Sequence, residues 1–185
     1  MIIVTTLRHG TGTDYKSAPA GAAGGNVEKI KELMDSGIDK IKTRYVGTFE
    51  DVNVYESKML GVYGSKDGYS GVTLPPKGIY VGKGVYRNDF NFMAHEFGHI
   101  LQYREHGALA YYNVIAPESL NSAMTNSYSG HNNFWTETYA NYLSRNYFYN
   151  QYVMNGMDYF SWNYRVNPVQ NISPANLSRL LRLKW

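Results

Sequence analysis

The chain contains no cysteine. A disulfide framework, a thiolate nucleophile and a zinc site built on cysteine thiolates are therefore excluded. No apolar run approaches membrane-spanning length, and the opening MIIVTTLRHG has too few apolar residues for a signal-peptide core. Charged residues make up only 18% of the chain, and the net charge of +3 is too small and too scattered to indicate a nucleic-acid partner. We expect a soluble protein with no membrane span and no nucleic-acid partner.

Aromatic residues, by contrast, are abundant, with 18 tyrosines and 3 tryptophans among 185 residues. One interpretation is amphipathic packing, in which the rings are buried and the hydroxyls reach water. The other is an aromatic-lined groove that binds peptide or glycan. The length is sufficient for one domain and short for two.

Composition divides the first half of the chain into three stretches. Residues 10–25 are rich in glycine, alanine, serine and threonine without a period, so residues 1–25 are predicted to be a flexible leader or linker. Residues 26–185 are expected to fold as a single domain, beginning with an amphipathic helix at residues 26–37. Between residues 42 and 85, β-rich runs punctuated by glycine and proline predict a small antiparallel or mixed sheet.

The chain after residue 87 is predicted to be mainly helical. Its first helix is capped by Asn88 or Asp89 and ends near Gly107. Three further helices are predicted in the stretches APESLNSAMTN, residues 134–149 and SPANLSRLLRLKW, with the polar stretch SYSGHNN as a connection. A small sheet followed by helices is an α+β architecture.

The stretch NFMAHEFGHILQY places His95 and His99 four residues apart, with Glu96 directly after the first histidine. On a helix the two histidines lie about 40° apart around the axis and about 6 Å along it, so both imidazoles reach one metal ion. Glu96 projects about 60° from His99, so it misses the ion but reaches a water bound to it. Zinc acidifies such a water and a neighbouring carboxylate accepts its proton. The motif predicts a Zn2+ site with Glu96 as general base.

The residues that surround this motif agree with a buried zinc helix. Gly98 leaves room for a second element to approach closely. The apolar residues cluster on the side opposite the histidines, which predicts that the histidines face a cleft. These residues are Met93, Ala94, Phe97, Ile100 and Leu101. The competing interpretation is a coincidental motif on a surface helix.

Two histidines do not complete a zinc site, and the stretch HNNFWTETYANYL offers Glu137 as the third ligand. On a helix Glu137 shares a face with Ala140, which is small enough for close helix packing, and with Asn141. The Asn141 carboxamide oxygen is placed to accept the ring N–H of a ligating histidine and fix its orientation. Two alternatives stay open. Glu137 is a first-turn acid stabilised by its helix N-terminus, or His131 binds the metal instead.

The pattern His95-Glu96-x-x-His99 followed by Glu137-x-x-Ala140-Asn141 resembles that of the gluzincin metallopeptidases. This resemblance implies a zincin-like fold with the histidines on one helix and the glutamate on a second. The chain departs from the family at Asn141, where aspartate is commoner. Its interval between His99 and Glu137 is longer than in thermolysin-like enzymes, which argues against that subfamily.

A closer resemblance, over about residues 70 to 148, is to predicted metallopeptidase domains at the C-termini of RHS-repeat and other polymorphic toxin proteins, especially of Bacteroidetes. It is carried by the stretches TLPPKGIYVGK, HEFGHILQYREHGALAYYNVIAPESLNSA and FWTETYANYL. The resemblance implies a toxin or effector domain that is exported or delivered to target cells by a larger protein or a secretion system. It also implies a cognate immunity or inhibitor protein.

These observations predict a zinc-dependent peptidase acting on a protein or peptide. The strand in GIYVGKGVY precedes the zinc helix, as does the zincin edge strand that pairs with extended substrate. A donor to the tetrahedral oxyanion is also needed. The candidates are Tyr103, His106, His131 and Tyr139. The alternatives to a peptidase are a catalytically inactive zincin-like domain and an aromatic-rich binding module.

Overall fold

The computed structural model describes residues 42–152 and 172–183. The predicted leader at residues 1–25 and the predicted helix at residues 26–37 lie outside these ranges. Within them, a small four-stranded mixed sheet precedes a set of helices. The α+β prediction is therefore confirmed.

The sheet has the strand order β1-β2-β4-β3. Strands β1 and β2 form an antiparallel hairpin, β2 and β4 are parallel, and β4 and β3 are antiparallel. Glu50 and Asp51, at the hairpin turn, both have positive φ, which matches the twist of the flanking strands. The bounds are β1 (Arg44–Phe49), β2 (Val52–Val62), β3 (Gly71–Leu74) and β4 (Gly78–Lys83).

One sequence-based assignment in the sheet is wrong. The strand in GIYVGKGVY was expected to be an edge strand, but it forms β4, which is hydrogen-bonded on both sides. The edge on that side of the sheet is β3, the stretch GVTL, which the sequence analysis did not identify. Its four residues are completely buried and lack the polar alternation that marks a half-buried edge strand.

Six α-helices and one π-helical segment follow within the described residues. The π-helical segment, Tyr111–Ile115, connects the second helix to the third. The polar stretch SYSGHNN, predicted as a connection, contains a short helix. The helices are α1 (Val85–Asn88), α2 (Phe90–Ala110), α3 (Ala116–Thr125), α4 (Tyr128–Asn132), α5 (Trp135–Tyr152) and α6 (Pro174–Leu183). Across residues 42–152 and 172–183, none of them has the combined length and apolarity of a membrane span.

Helix α2 starts and breaks where its local sequence predicts. The Asp89 carboxylate accepts a hydrogen bond from Phe92 N at 2.9 Å, which caps the first turn. Gly107 interrupts the helix with φ 76° and ψ 170°, a conformation that costs little only for glycine. The chain stays helical beyond this kink, so it enters the π-helical segment without an intervening loop.

Helix α2 packs on the sheet through a sheet-facing core that it shares with the later part of α5. The core contains strand residues, the apolar side of α2 and Phe148 of α5. Burial of this apolar side fixes the rotation of α2 about its own axis and so directs the histidine side away from the sheet core. The buried members are Val52, Val54, Tyr69, Ile79, Val81, Val85, Phe92, Met93, Ala94, Phe97, Ile100 and Phe148.

A second, helical core holds the start of α5 in place. It combines residues of the α2 end, the π-helical segment, α3, α5 and α6. Because Trp135 opens α5 and is buried here, the helix start that carries Glu137 is anchored. The buried members are Ala110, Tyr111, Val114, Ile115, Ala116, Trp135 and Leu180.

Helices α2 and α5 make backbone contact at Gly98. A Cβ atom at this position would lie 2.2 Å from the carbonyl oxygen of Ala140. The close approach predicted from these two small residues is therefore present, and it brings the histidine helix and the glutamate helix together.

Candidate metal site

The structure brings together three of the predicted site residues. His95 Nε2 and His99 Nε2 are 3.3 Å apart. Glu137 Oε2 lies 3.3 Å from the first of these atoms and 3.4 Å from the second. Among the described residues these side chains form a buried group able to hold a metal ion, and Glu96 is not a member of it.

The distances between these three atoms are those of neighbouring ligands in a tetrahedral metal site. Zinc bonds of about 2.0–2.1 Å in a tetrahedron place neighbouring ligand atoms about 3.3–3.4 Å apart. Octahedral coordination at about 2.1 Å places them about 3.0 Å apart. Two imidazole nitrogens and one carboxylate oxygen are also donors that suit zinc. The donor set and its spacing therefore fit tetrahedral zinc with one position left open.

One carboxylate oxygen of Glu137 faces the two histidines, and the other accepts hydrogen bonds that hold the side chain in place. Its Oε1 accepts hydrogen bonds from Ser119 Oγ at 2.5 Å and from Thr136 Oγ1 at 2.9 Å. Its Oε2 is buried and accepts no hydrogen bond within residues 42–152 and 172–183. An oxygen left without a donor in a buried site is costly unless a cation satisfies it. This environment fits a metal-binding oxygen.

The charge state of Glu137 suits the same role. Burial alone would raise the pKa of Glu137, but the charges of His131 and His99, together with the contacts of His95 and His99, hold it well below its ordinary value. The side chain therefore stays ionised, as a metal-binding carboxylate must be.

Each of the two histidines in the group is oriented by an amide oxygen. Asn141 Oδ1 lies 2.6 Å from His95 Nδ1, the position that the sequence analysis assigned to it. Gln102 Oε1 lies 2.8 Å from His99 Nδ1, a contact that the sequence analysis missed. The residue spacing was a usable signal, because Gln102 follows His99 by three positions and such residues are neighbours on a helix.

Strand β3 holds the predicted base. The Thr73 hydroxyl lies 2.6 Å from Glu96 Oε2, to which it donates. Gly71, on the same strand, packs so closely that a Cβ there would lie 2.3 Å from Glu96 Oε1. The edge strand β3 therefore contacts the histidine helix α2 through the side chain of Glu96.

The four predicted oxyanion donors lie in different places. His131 is brought close, with its Nε2 3.7 Å from Glu137 Oε2 and its Nδ1 3.2 Å from Ser122 Oγ, although it is not part of the metal-ligand group. Tyr103 instead packs edge-on against the rings of Tyr111 and Tyr112 in the helical core. The role of Tyr103 as an oxyanion donor stays a prediction.

His106 and Tyr139 form a separate pair further along α2 and α5. His106 Nε2 lies 2.6 Å from the Tyr139 hydroxyl, which donates to Glu105 Oε2 at 2.8 Å. Burial, followed by the hydrogen bond to Glu105, raises the pKa of Tyr139. These side chains engage one another and Glu105, and their role as oxyanion donors stays a prediction.

Tyr111, in the π-helical segment, was missed entirely by the sequence analysis. Its side chain is 0% exposed, and its hydroxyl has no hydrogen-bond partner in the described part of the chain. Burial, then Tyr112, and then the charges of Glu96 and Glu137 raise its pKa well above the ordinary value. A protonated hydroxyl is therefore placed within electrostatic reach of both site carboxylates. No local pattern marks this residue, since its placement depends on the kink at Gly107.

The site is more enclosed than predicted. His95 is 2% exposed, whereas Glu96, His99 and Glu137 are 0% exposed. The expected cleft along the histidine side is therefore not an open surface. Any external molecule reaches these groups only after surrounding residues move apart.

Comparisons of the chain with protein-family models, with curated proteins and with solved structures found no match. The resemblances to gluzincins and to toxin domains therefore stay predictions from the sequence.

Proposed function

We propose that this protein is a zinc-dependent peptidase of the zincin-like type. The observation that carries the proposal is the triangle of His95 Nε2, His99 Nε2 and Glu137 Oε2, whose sides of 3.3–3.4 Å match tetrahedral zinc. Three protein ligands leave a fourth position open, which is the arrangement of a catalytic rather than a structural zinc site.

The side chains around the triangle have distinct roles in this proposal. A zinc ion there supplies Lewis acidity, which lowers the pKa of water and polarises a peptide carbonyl. Glu96 accepts the proton of the attacking water, while the Thr73 hydroxyl holds one of its carboxylate oxygens. The protonated Tyr111 hydroxyl donates to the oxyanion that develops on the substrate. Asn141 and Gln102 keep the histidine rings in position.

The substrate in this proposal is an extended peptide that pairs with the edge strand β3. That strand carries Thr73, which contacts Glu96, so a peptide added there lies beside the base. Strand β4 cannot take this role, because both of its edges are already paired.

A second candidate function is a non-catalytic domain in which the metal stabilises the fold. It is favoured by the burial of the site, since His95, His99 and Glu137 are all at most 2% exposed. The position of Glu96 argues for catalysis, because a structural site does not need a base next to its ligand.

The first experiment separates metal binding from catalysis. We expect about one zinc per wild-type chain by elemental analysis, and much less in Glu137→Gln. Glu96→Gln should keep its zinc and its fold but lose about 100- to 10,000-fold in cleavage of a quenched peptide library. Glu118→Gln, on α3 and outside the metal group, is the matched control that changes neither property.

Each result has a definite reading. Zinc in both wild type and Glu96→Gln, with cleavage only by the wild type, supports the peptidase. Zinc without cleavage in either supports the structural domain. Equal zinc in wild type and Glu137→Gln would move the third ligand to His131, which lies 3.7 Å from Glu137 Oε2.

The toxin role, delivery into target cells and a cognate immunity protein are proposed on the sequence resemblance alone. We expect expression of the wild-type chain to arrest growth of a sensitive cell and expression of Glu96→Gln to be tolerated. Equal growth with the two variants, in bacterial and in host cells, would remove the toxin role and leave the peptidase proposal intact.

A further inference from the structure

Gln102 makes two hydrogen bonds with the ligand-bearing parts of the site. It lies on α2, three residues after His99, and is 0% exposed. Its Oε1 is 2.8 Å from His99 Nδ1. Its Nε2 donates to the backbone oxygen of Thr136 at 2.7 Å, and Thr136 directly precedes Glu137.

These two contacts determine the protonation of His99. A backbone carbonyl oxygen only accepts hydrogen bonds, so the amide group facing Thr136 must be the NH2 of Gln102. The other end of the amide is then the oxygen, which also only accepts. His99 Nδ1 must therefore carry a proton, and in the neutral imidazole His99 Nε2 keeps its lone pair. That nitrogen is one corner of the ligand triangle.

We propose that Gln102 is a positioning residue that holds His99 in the Nδ1-protonated tautomer and ties the start of α5 to α2, so that His99 and Glu137 are ready before the metal arrives. The proposal deepens the proposed zinc site and rests on it. It extends the role predicted for Asn141, which makes the corresponding contact with His95 from the opposite helix.

Through its contact with Thr136, Gln102 also affects the position of Glu137, which a residue that contacted His99 alone would not do. Thr136 precedes Glu137 on α5, and its hydroxyl donates to Glu137 Oε1. The amide of Gln102 therefore connects one ligand to the backbone that positions another. Loss of this amide should disturb two corners of the triangle, although Gln102 itself does not bind the metal.

The test uses the full chain and two substitutions of similar size. Gln102→Met removes both hydrogen bonds while filling nearly the same space, and Gln102→Glu keeps an acceptor for His99 Nδ1. The tautomer is read from the 15N chemical shifts of the imidazole nitrogens in the zinc-free protein, above the usual pKa of histidine. We expect His99 to be protonated on Nδ1 in the wild type and in Gln102→Glu, and to shift towards the Nε2-protonated form in Gln102→Met.

Metal affinity provides the second measurement. In competition with a chelator, zinc should bind Gln102→Met about 10- to 100-fold more weakly than the wild type. Gln102→Glu should bind zinc more tightly than Gln102→Met but more weakly than the wild type, because it keeps the acceptor for His99 Nδ1 and loses the donor to Thr136. A purely structural role for Gln102 would alter thermal stability without moving the tautomer or restoring affinity in the glutamate variant.

Three results overturn the proposal. The first is Nε2 protonation of His99 in the zinc-free wild type, which needs no variant and so is decisive even if Gln102→Met does not fold. The second is an unchanged tautomer in folded Gln102→Met, and the third is unchanged zinc affinity in that variant. Failure of the proposed function looks different, because a wild type with the expected tautomer that binds zinc but cleaves no peptide refutes only the peptidase.

Discussion

The two cores of this protein each contain a buried tyrosine, and the two hydroxyls differ in their hydrogen bonding. Tyr69, in the sheet-facing core, is 1% exposed and donates a short hydrogen bond to Asp89, the residue that caps α2. Tyr111, in the helical core, is 0% exposed and has no hydrogen-bond partner in residues 42–152 and 172–183. The indole nitrogen of Trp135, in the same helical core, is also unpaired over that range.

The two cores therefore differ in how their buried tyrosine hydroxyls are paired within the described residues. A buried hydroxyl without a partner costs about 1–3 kcal/mol, whereas a buried hydrogen bond to a charged group contributes about 1.5–3 kcal/mol. The Tyr69 hydroxyl therefore stabilises the sheet-facing core, whereas the Tyr111 hydroxyl, which has no partner in the described residues, destabilises the helical core. A catalytic role or a bound water or ion is among the explanations for an unpaired buried group, and π-helical segments such as the one holding Tyr111 are frequent at functional sites.

The largest effect should come from separating α2 and α5. In Gly98→Ala the new Cβ meets the backbone of Ala140, which cannot swing aside as a side chain can. We expect the free energy of unfolding, from urea titration, to fall by about 3 kcal/mol. Zinc affinity should fall with it, because the two helices carry different ligands.

Gly71→Ala is the matched change on the sheet side. Its Cβ meets the Glu96 carboxylate and the Phe92 ring rather than backbone. We expect this variant to keep its zinc and to lose cleavage activity. Equal zinc affinity in the two alanine variants would contradict the assignment of the ligands to α2 and α5.

Tyr69→Phe should give the next largest effect. It removes the hydrogen bond that the Tyr69 hydroxyl donates to Asp89, so this buried carboxylate has one hydrogen-bond donor fewer. We expect the free energy of unfolding to fall by about 2 kcal/mol, with zinc content unchanged. A variant as stable as the wild type would show that the sheet-facing core does not depend on this bond.

Tyr111→Phe should act in the opposite direction on stability. Removing a hydroxyl that has no partner within residues 42–152 and 172–183 should raise the free energy of unfolding by about 1 kcal/mol. Under the proposed mechanism the same change lowers kcat for peptide cleavage about 100-fold, with KM and zinc content little altered. An unchanged kcat would assign the oxyanion contact to His131 instead.

The smallest effect at neutral pH concerns Glu137, because its consequence for stability appears only in acid. Its folded-state pKa is held well below the ordinary value of 4.5, despite burial, by His131, His99 and His95. A depressed carboxyl pKa contributes stability that is present above pH 4.5 and is lost as pH falls through the folded pKa. Zinc-free wild type should therefore lose stability below pH 4.5 more steeply than zinc-free Glu137→Gln, as measured by urea titration at several pH values. Parallel curves would contradict the strong interaction of Glu137 with these histidines.

The parts of the structure that the sequence predicted depend on local signals. Helix α2 was predicted from its cap at Asp89, its apolar side and the break at Gly107, all of which act within a few residues. The approach of α5 was predicted from two small residues, Gly98 and Ala140. The juxtaposition of the three ligand atoms followed from these helix faces once the two helices were assumed to pack.

The parts that the sequence did not predict depend on contacts between distant segments. Strand β3 has no alternating pattern, because its residues are buried by the surrounding elements. Tyr103 was one of four candidate oxyanion donors, and its ring packs against the helical core. Tyr111 lies beyond the kink at Gly107 in a π-helical segment, and that segment has no reliable single-sequence signature.

The burial of the metal-ligand side chains also bears on how fast an ion enters and leaves. An ion cannot reach nitrogens and an oxygen that are at most 2% exposed by simple diffusion to the surface. It must wait for a transient local opening of the elements around the site, whose frequency depends on their local stability. Exchange of a bound metal should therefore be slow even if its equilibrium affinity is moderate. The rate of metal uptake would then measure how often the site opens.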